Sequence, residues 1–130
     1  MFKIKSLVIL MLAIASSVFA AADIFDRISA AIKSGDAKQV SKYFSANIDL
    51  TILSQEEVYS KAQAELVLKD FLAKNSPKSF TLVHRGLSKE GSKYAIGSLV
   101  TTQGTTFRVY LYVKQSAGAE YIQELRFEKE

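Results

Sequence analysis

The sequence of 130 residues contains no cysteine and no tryptophan, and it has one proline and one histidine. Without cysteine the chain forms no disulfide, offers no thiol nucleophile and has no N-terminal cysteine for lipid attachment. A single histidine excludes a multi-histidine metal site, and no pattern specifies oxygen ligands, so we expect neither metal nor cofactor. Lysine and arginine are scattered singly among acidic residues, which argues against binding of nucleic acid.

The N-terminus differs in character from the rest of the chain. Lys3 and Lys5 precede the apolar stretch Leu7–Ile14, and Val18 and Ala20 place short side chains at the third and first positions before a cleavage after Ala20. This pattern predicts a secretory signal peptide, residues 1–20, cleaved after Ala20. The alternative is an uncleaved anchor, but the apolar stretch falls short of the ~20 residues that a membrane span needs. We therefore expect export to the periplasm or the extracellular space, with no membrane span in the mature chain.

Residues 21–130 are predicted to form one domain, since single domains most often have ~100–150 residues. Apolar residues recur with helical spacing after Asp23, Asp36 and Ser60, which predicts three helices capped by these residues. Gly35 is expected to end the first helix in a left-handed conformation. The second helix is expected to bury Tyr43 and Phe44. A short strand over residues 48–53 is predicted between the second and third helices.

From Phe80 onward the apolar spacing changes from helical to alternating. Four strands are predicted, joined by turns at residues 89–92, 101–104 and 116–118. Strict alternation places His84 on the same face as Phe80 and Leu82. Four consecutive strands joined by hairpins form an antiparallel meander, and helices must cover one of its faces. The predicted element order is α-α-β-α-β-β-β-β, an α+β domain.

This order resembles the nuclear transport factor 2-like (cystatin-like) fold, a cone in which a curved antiparallel sheet wraps around three helices. Several phrases are also similar to the secreted bacterial family called domain of unknown function 4783, which is found mainly in Bacteroidetes. The phrases are AIKSGDA at Ala31–Ala37, VYSKAQA at Val58–Ala64, YAIG at Tyr94–Gly97, FRVY at Phe107–Tyr110 and IQELRF at Ile122–Phe127. The resemblance implies fold and export, but no activity, because none is assigned to that family.

Enzymes of the nuclear transport factor 2-like superfamily use an Asp or His base and a Tyr donor inside the cone. The resemblance therefore directs attention to four ligand-pocket candidates, which are Tyr43, Tyr59, His84 and Tyr94. One hypothesis is a small isomerase or dehydratase that uses His84 or Asp49 with a tyrosine. The alternative is that His84 is a hydrogen-bonded packing residue, Asp49 a solvated charge and the tyrosines half-buried rim residues.

The face of the sheet turned away from the helices has an unusual composition. Alternation predicts that it carries Arg108, Tyr110, Tyr112, Ile122, Glu124 and Arg126. Tyr and Arg are enriched in protein interfaces, which favours a homodimer through this face over a solvated sheet with Arg–Glu cross-strand pairs. The leading hypothesis is thus an exported, non-enzymatic binding domain that associates with itself, with an envelope protein or with a small apolar ligand in the cone.

Overall fold

The computed structural model describes residues 23–88 and 91–130. The predicted signal peptide, residues 1–20, and its cleavage site after Ala20 lie outside the described residues. The helices and strands in chain order are α1 Ile24–Ser34, α2 Ala37–Ser41, β1 Phe44–Ile52, β2 Gln55–Ser60, α3 Lys61–Lys74, β3 Pro77–Leu87, β4 Lys93–Thr101, β5 Thr106–Ser116 and β6 Ala119–Lys129. Within this part of the chain, none of the helices has the length and apolarity needed to cross a bilayer.

The caps of the helices lie where the sequence predicts them. The Asp23 carboxylate accepts hydrogen bonds from the amides of Phe25 and Asp26, at 2.6 and 3.2 Å. At the other end of α1, Gly35 has a φ of 73°, a left-handed conformation that glycine adopts without steric cost. The Ser60 hydroxyl accepts a hydrogen bond from the amide of Gln63 and so begins α3.

Helix α2 is shorter than predicted. It ends at Ser41, and Phe44 is the first residue of β1 rather than the last turn of the helix. The backbone turns away because the carbonyl of Tyr43 accepts a hydrogen bond from the amide of Ile122 on β6, at 2.6 Å. Phe44 then lies beside Ile122 in the sheet and is buried there. The prediction that Tyr43 and Phe44 belong to the second helix is therefore wrong.

Strand β2 is an additional element that the sequence pattern does not predict. It follows β1 through the turn Leu53-Ser54 and pairs with β1 antiparallel. Five of its six side chains are exposed, and Tyr59 alone is half-buried. The strand is held by backbone pairing at a sheet edge and lacks the apolar alternation by which a strand is recognised in a sequence.

The sheet has six strands in the order β2-β1-β6-β5-β4-β3. Strands β3 to β6 form the predicted antiparallel meander. Strand β1 lies beside β6 and runs parallel to it, so one pairing in the sheet departs from the predicted antiparallel arrangement. The curved sheet and three helices confirm the predicted α+β fold class.

Bulges in β3 and β6 reverse the alternation of these two strands. The register of β3 against β4 shifts between Leu82 and His84, so Val83 is an extra residue. In β6, Val113 lies opposite Ile122 and Tyr112 opposite Glu124, which leaves Gln123 extra. Each extra residue moves the side chains beyond it to the other face of the sheet.

The hydrophobic core lies between the three helices and the inner face of the sheet. Leu68 and Phe71 of α3 meet the inward-facing residues of β5 and β6 there. The ring of Phe71 contacts those of Phe107 and Phe127, with centroid separations of 5.2 and 4.8 Å. The space beneath α3 is thus packed with aromatic side chains.

Candidate interaction surface

The outer face of the sheet carries a shallow groove lined by large side chains, which we call the tyrosine groove. Its walls are Tyr94 and Ile96 of β4, Tyr110 and Tyr112 of β5, and Glu124 of β6, and its volume is about 330 Å³. Tyr94 lies opposite Tyr112, and Ile96 lies opposite Tyr110. Because cross-strand neighbours on one face of a sheet touch, these four side chains form a continuous half-buried apolar surface.

Tyr94 is held in the tyrosine groove by two residues of β3. Gly86 lies opposite Tyr94, and a Cβ atom at position 86 would overlap the Tyr94 ring. The ring therefore lies directly over the glycine backbone. Its hydroxyl is 3.2 Å from Nε2 of His84, within hydrogen-bond distance. Sequence reasoning missed Gly86, although an isolated glycine in a strand is a signal of close approach by a neighbouring group.

Arg126 lies beside the tyrosine groove at the centre of a charged cluster. Its guanidinium is 3.2 Å from a carboxylate oxygen of Glu124, 3.5 Å from Glu128 and 3.6 Å from Glu56. It also lies 5.8 Å from the centre of the Tyr110 ring. These contacts fix Arg126 on the outer face, as predicted, and bring a cation, an aromatic ring and several carboxylates together.

The outer face carries both signs of charge at its margins. Nε of Arg108 lies 3.6 Å from a carboxylate oxygen of Glu130, and both side chains are about half exposed. Glu56 and Glu128 are held by Arg126 and remain partly open to solvent. Guanidinium and carboxylate groups thus lie together at the margins of the outer face.

Ile122, predicted for this outer face, lies in the core instead. It is fully buried between the sheet and the helices. The bulge at Gln123 separates it from Glu124, so that Ile122 points inward together with Leu125 and Phe127. The prediction that Ile122 faces outward is wrong because strict alternation does not hold across an inserted residue.

His84 also lies on the face opposite to the predicted one. The bulge at Val83 places it beside Ile96 on the outer face, where it is exposed, and not beside Phe80 and Leu82 in the cone. Asp49 lies on the outer face of β1 as predicted, opposite Glu124 of β6. Neither residue therefore lies inside the cone beside a tyrosine, which is the arrangement that the isomerase or dehydratase hypothesis requires.

The remaining two pocket candidates lie apart from the tyrosine groove. Tyr43 and Tyr59 are half-buried and pack against the edge of the core. Burial and the neighbouring Glu57 carboxylate raise the pKa of Tyr59. Of the four candidates, the structure brings only His84 and Tyr94 together.

The fold places the chain in a known structural class. It matches an uncharacterized protein with a cystatin-like fold from Caulobacter vibrioides at a TM-score of 0.63 and 13% identity, over 82% of this chain and 84% of that one. Together with other structures of this shape, this likeness shows a nuclear transport factor 2-like, cystatin-like fold.

Within that class the chain belongs to the family described as domain of unknown function (DUF4783), whose sequence profile matches residues 25–128. A family protein from Bacteroides ovatus is 29% identical, covers 80% of this chain and 93% of its own, and has a TM-score of 0.75. Another from Bacteroides uniformis is 26% identical, with 83% and 98% coverage and a TM-score of 0.77. No functionally curated protein matches the chain.

Proposed function

We propose that this chain is exported through a cleaved signal peptide and acts as a binding domain that forms a homodimer through the outer face of its sheet. The observation that carries the proposal is the tyrosine groove, which has a volume of about 330 Å³ and half-buried apolar walls on the face away from the core. A face that served only as a solvated surface would have no need of four large apolar or aromatic side chains in contact.

A second copy of the chain is the occupant that the charges favour. A homodimer with two-fold symmetry uses the same patch on both partners, so that patch must complement itself. Arg108 and Arg126 lie on the outer face together with Glu124, Glu128 and Glu130. A two-fold rotation can therefore place cations of one protomer against carboxylates of the other, while the tyrosines meet at the centre. Apolar cores with polar rims are typical of protein interfaces.

The test is a double substitution at the edge and centre of the outer face. Arg108→Glu with Tyr110→Ala reverses a rim charge and removes one aromatic ring, and we expect it to convert a dimer into a folded monomer. Lys69→Glu with Leu66→Ala is the matched control, because it makes the same kinds of change at exposed positions of α3. The control is expected to remain dimeric.

Native mass spectrometry and sedimentation equilibrium of the chain purified from an exporting host give the oligomeric state, and N-terminal sequencing shows whether cleavage follows Ala20. Thermal unfolding verifies that the monomeric variant is folded. A wild-type protein that is monomeric at high micromolar concentration would refute the homodimer. If the monomer instead captured an envelope protein through the tyrosine groove, the surface would be a binding site but self-association would be wrong.

A further inference from the structure

A second cavity lies at one end of the sheet, apart from the tyrosine groove. It opens between the C-terminal half of α3, the turn that joins β1 to β2 and the turn that joins β4 to β5, and we call it the end cleft. Its volume is about 500 Å³. This volume falls within the range of small-molecule binding sites, which is roughly 300–1,000 Å³.

The floor and part of the sides of the end cleft are apolar, and the uncharged polar residues around them are Gln55, Asn75, Gln103 and Thr105. Phe71 and Phe107 form its floor, where both are buried, and Val67 and Ile52 form its half-buried sides. Leu53 stands at the opening and is 49% exposed. The cleft thus continues the hydrophobic core outward to solvent, which suits a ligand with an apolar body.

Leu53 is an unusual residue for its position. Its φ is 59°, a left-handed conformation that leucine rarely adopts. A two-residue hairpin turn does require a positive φ, but glycine and asparagine meet that requirement at lower cost. The turn explains the conformation and does not explain a large, exposed apolar side chain there. Backbone outliers of this kind are found preferentially at ligand sites.

The charges at the opening of the end cleft favour an anion. Lys74 is paired with Asp70 at 3.1 Å. Lys129, at the end of β6, also lines the cleft, and no carboxylate in residues 23–88 or 91–130 forms an ion pair with it. One positive charge is therefore available at the opening to a ligand.

We propose that the end cleft binds an amphipathic monocarboxylate, with its hydrocarbon chain against Leu53, Val67 and Phe71 and its carboxylate at Lys129. The proposal is independent of the homodimer, because the end cleft and the tyrosine groove share no lining residue.

Decanoate is a suitable probe, and isothermal titration calorimetry of the delipidated chain measures its binding. We expect saturable binding of one decanoate per protomer and weaker binding of decyltrimethylammonium, which has the same chain and a cationic head. Leu53→Asn relieves the strained turn, so the variant is expected to keep the fold. Because it also removes an apolar wall of the cleft, we expect the affinity for decanoate to fall about tenfold, equivalent to roughly 1.4 kcal/mol. Lys129→Glu is expected to reverse the preference between the two head groups.

Leu87→Asn is the matched control, since Leu87 is an 81% exposed leucine on β3 that does not line the end cleft. It is expected to bind decanoate like the wild type. The proposal is wrong if decanoate shows no saturable binding, if Leu53→Asn and Leu87→Asn bind it equally, or if both head groups bind with equal affinity. The Arg108→Glu, Tyr110→Ala variant should bind decanoate normally, which separates this result from the test of the dimer.

Discussion

Replacing Gly86 by alanine tests whether the Tyr94 ring is seated on the glycine backbone. The new Cβ atom would lie 2.5 Å from Cε1 of Tyr94 and closer still to Cζ and the hydroxyl oxygen. Real Cβ atoms do not approach other atoms so closely, so the ring must rotate away and lose its contact with Nε2 of His84, which is 3.2 Å long. The tyrosine groove would then lose one of its walls.

The size of the effect follows from the burial of the ring. Inserting a methyl group into a packed site costs about 1–3 kcal/mol in the free energy of unfolding. Tyr94 is half-buried and its far end is free to move, so we expect about 1 kcal/mol for Gly86→Ala, near the low end of that range. In a variant that already carries Tyr94→Ala, Gly86→Ala should instead stabilise the fold by about 0.5–1 kcal/mol, because glycine weakens a strand interior.

A double-mutant cycle measures this difference. The wild type, both single variants and the double variant are unfolded in urea at one fixed protein concentration, since a dimer's apparent stability depends on concentration. We expect a coupling energy of about 1.5–2 kcal/mol between the two positions, within the usual range for residues in contact. If Gly86→Ala costs the same with and without the Tyr94 ring, the ring is not seated on the glycine and the description of the groove is wrong.

Two further predictions concern stability. Gly97→Ala would place a Cβ atom 2.7 Å from Cε1 of Phe80, whose ring is buried and cannot swing into solvent. We therefore expect urea unfolding to show a loss of about 2–3 kcal/mol in the free energy of unfolding. A loss smaller than that of Gly86→Ala would contradict this packing. The second depends on pH: the Arg85 guanidinium, 2.6 Å from the Asp26 carboxylate, lowers the pKa of Asp26 below its ordinary value of 3.8. A lowered pKa stabilises the fold above the ordinary value and ceases to do so as the pH falls through the lowered value. Arg85→Ala should therefore reduce the melting temperature at neutral pH and have a shrinking effect below pH 3.8, and a difference that persists unchanged in strong acid would refute this linkage.

The sequence predicted the elements that have a strong period or a capping residue. Asp23, Gly35 and Ser60 set the ends of helices through local hydrogen bonds and backbone conformation, and these act within a few residues of the chain. Strand β5, which is buried on one face from Phe107 to Val113, shows the same alternation in the sequence and in the structure. The positions of Arg108, Tyr110 and Tyr112 followed directly from it.

The wrong predictions share a physical cause. The pairing of a strand with its neighbours depends on distant residues and cannot be recognised from the local pattern of apolar residues. The bulges at Val83 and Gln123 are visible only in the register with neighbouring strands, and they moved His84 and Ile122 to the opposite faces. Strand β2 is stabilised by pairing with β1 and has little apolar character of its own. The bulge at Val83 is therefore the reason why His84 does not lie inside the cone.

The parallel pairing of β1 with β6 also determines the order in which parts of the sheet can fold. One of the two neighbours of β1 is β6, the last of the six strands described, so Leu50 meets Leu125 only after β6 is available. Contacts between distant parts of a chain close slowly, because the loop entropy must be lost before the contact forms. A chain that emerges N-terminus first, from a ribosome or across a membrane, therefore keeps its central sheet open until β6 has emerged. For a protein exported as we propose, this delay would help the polypeptide to stay unfolded during translocation and to fold once its final strand arrives.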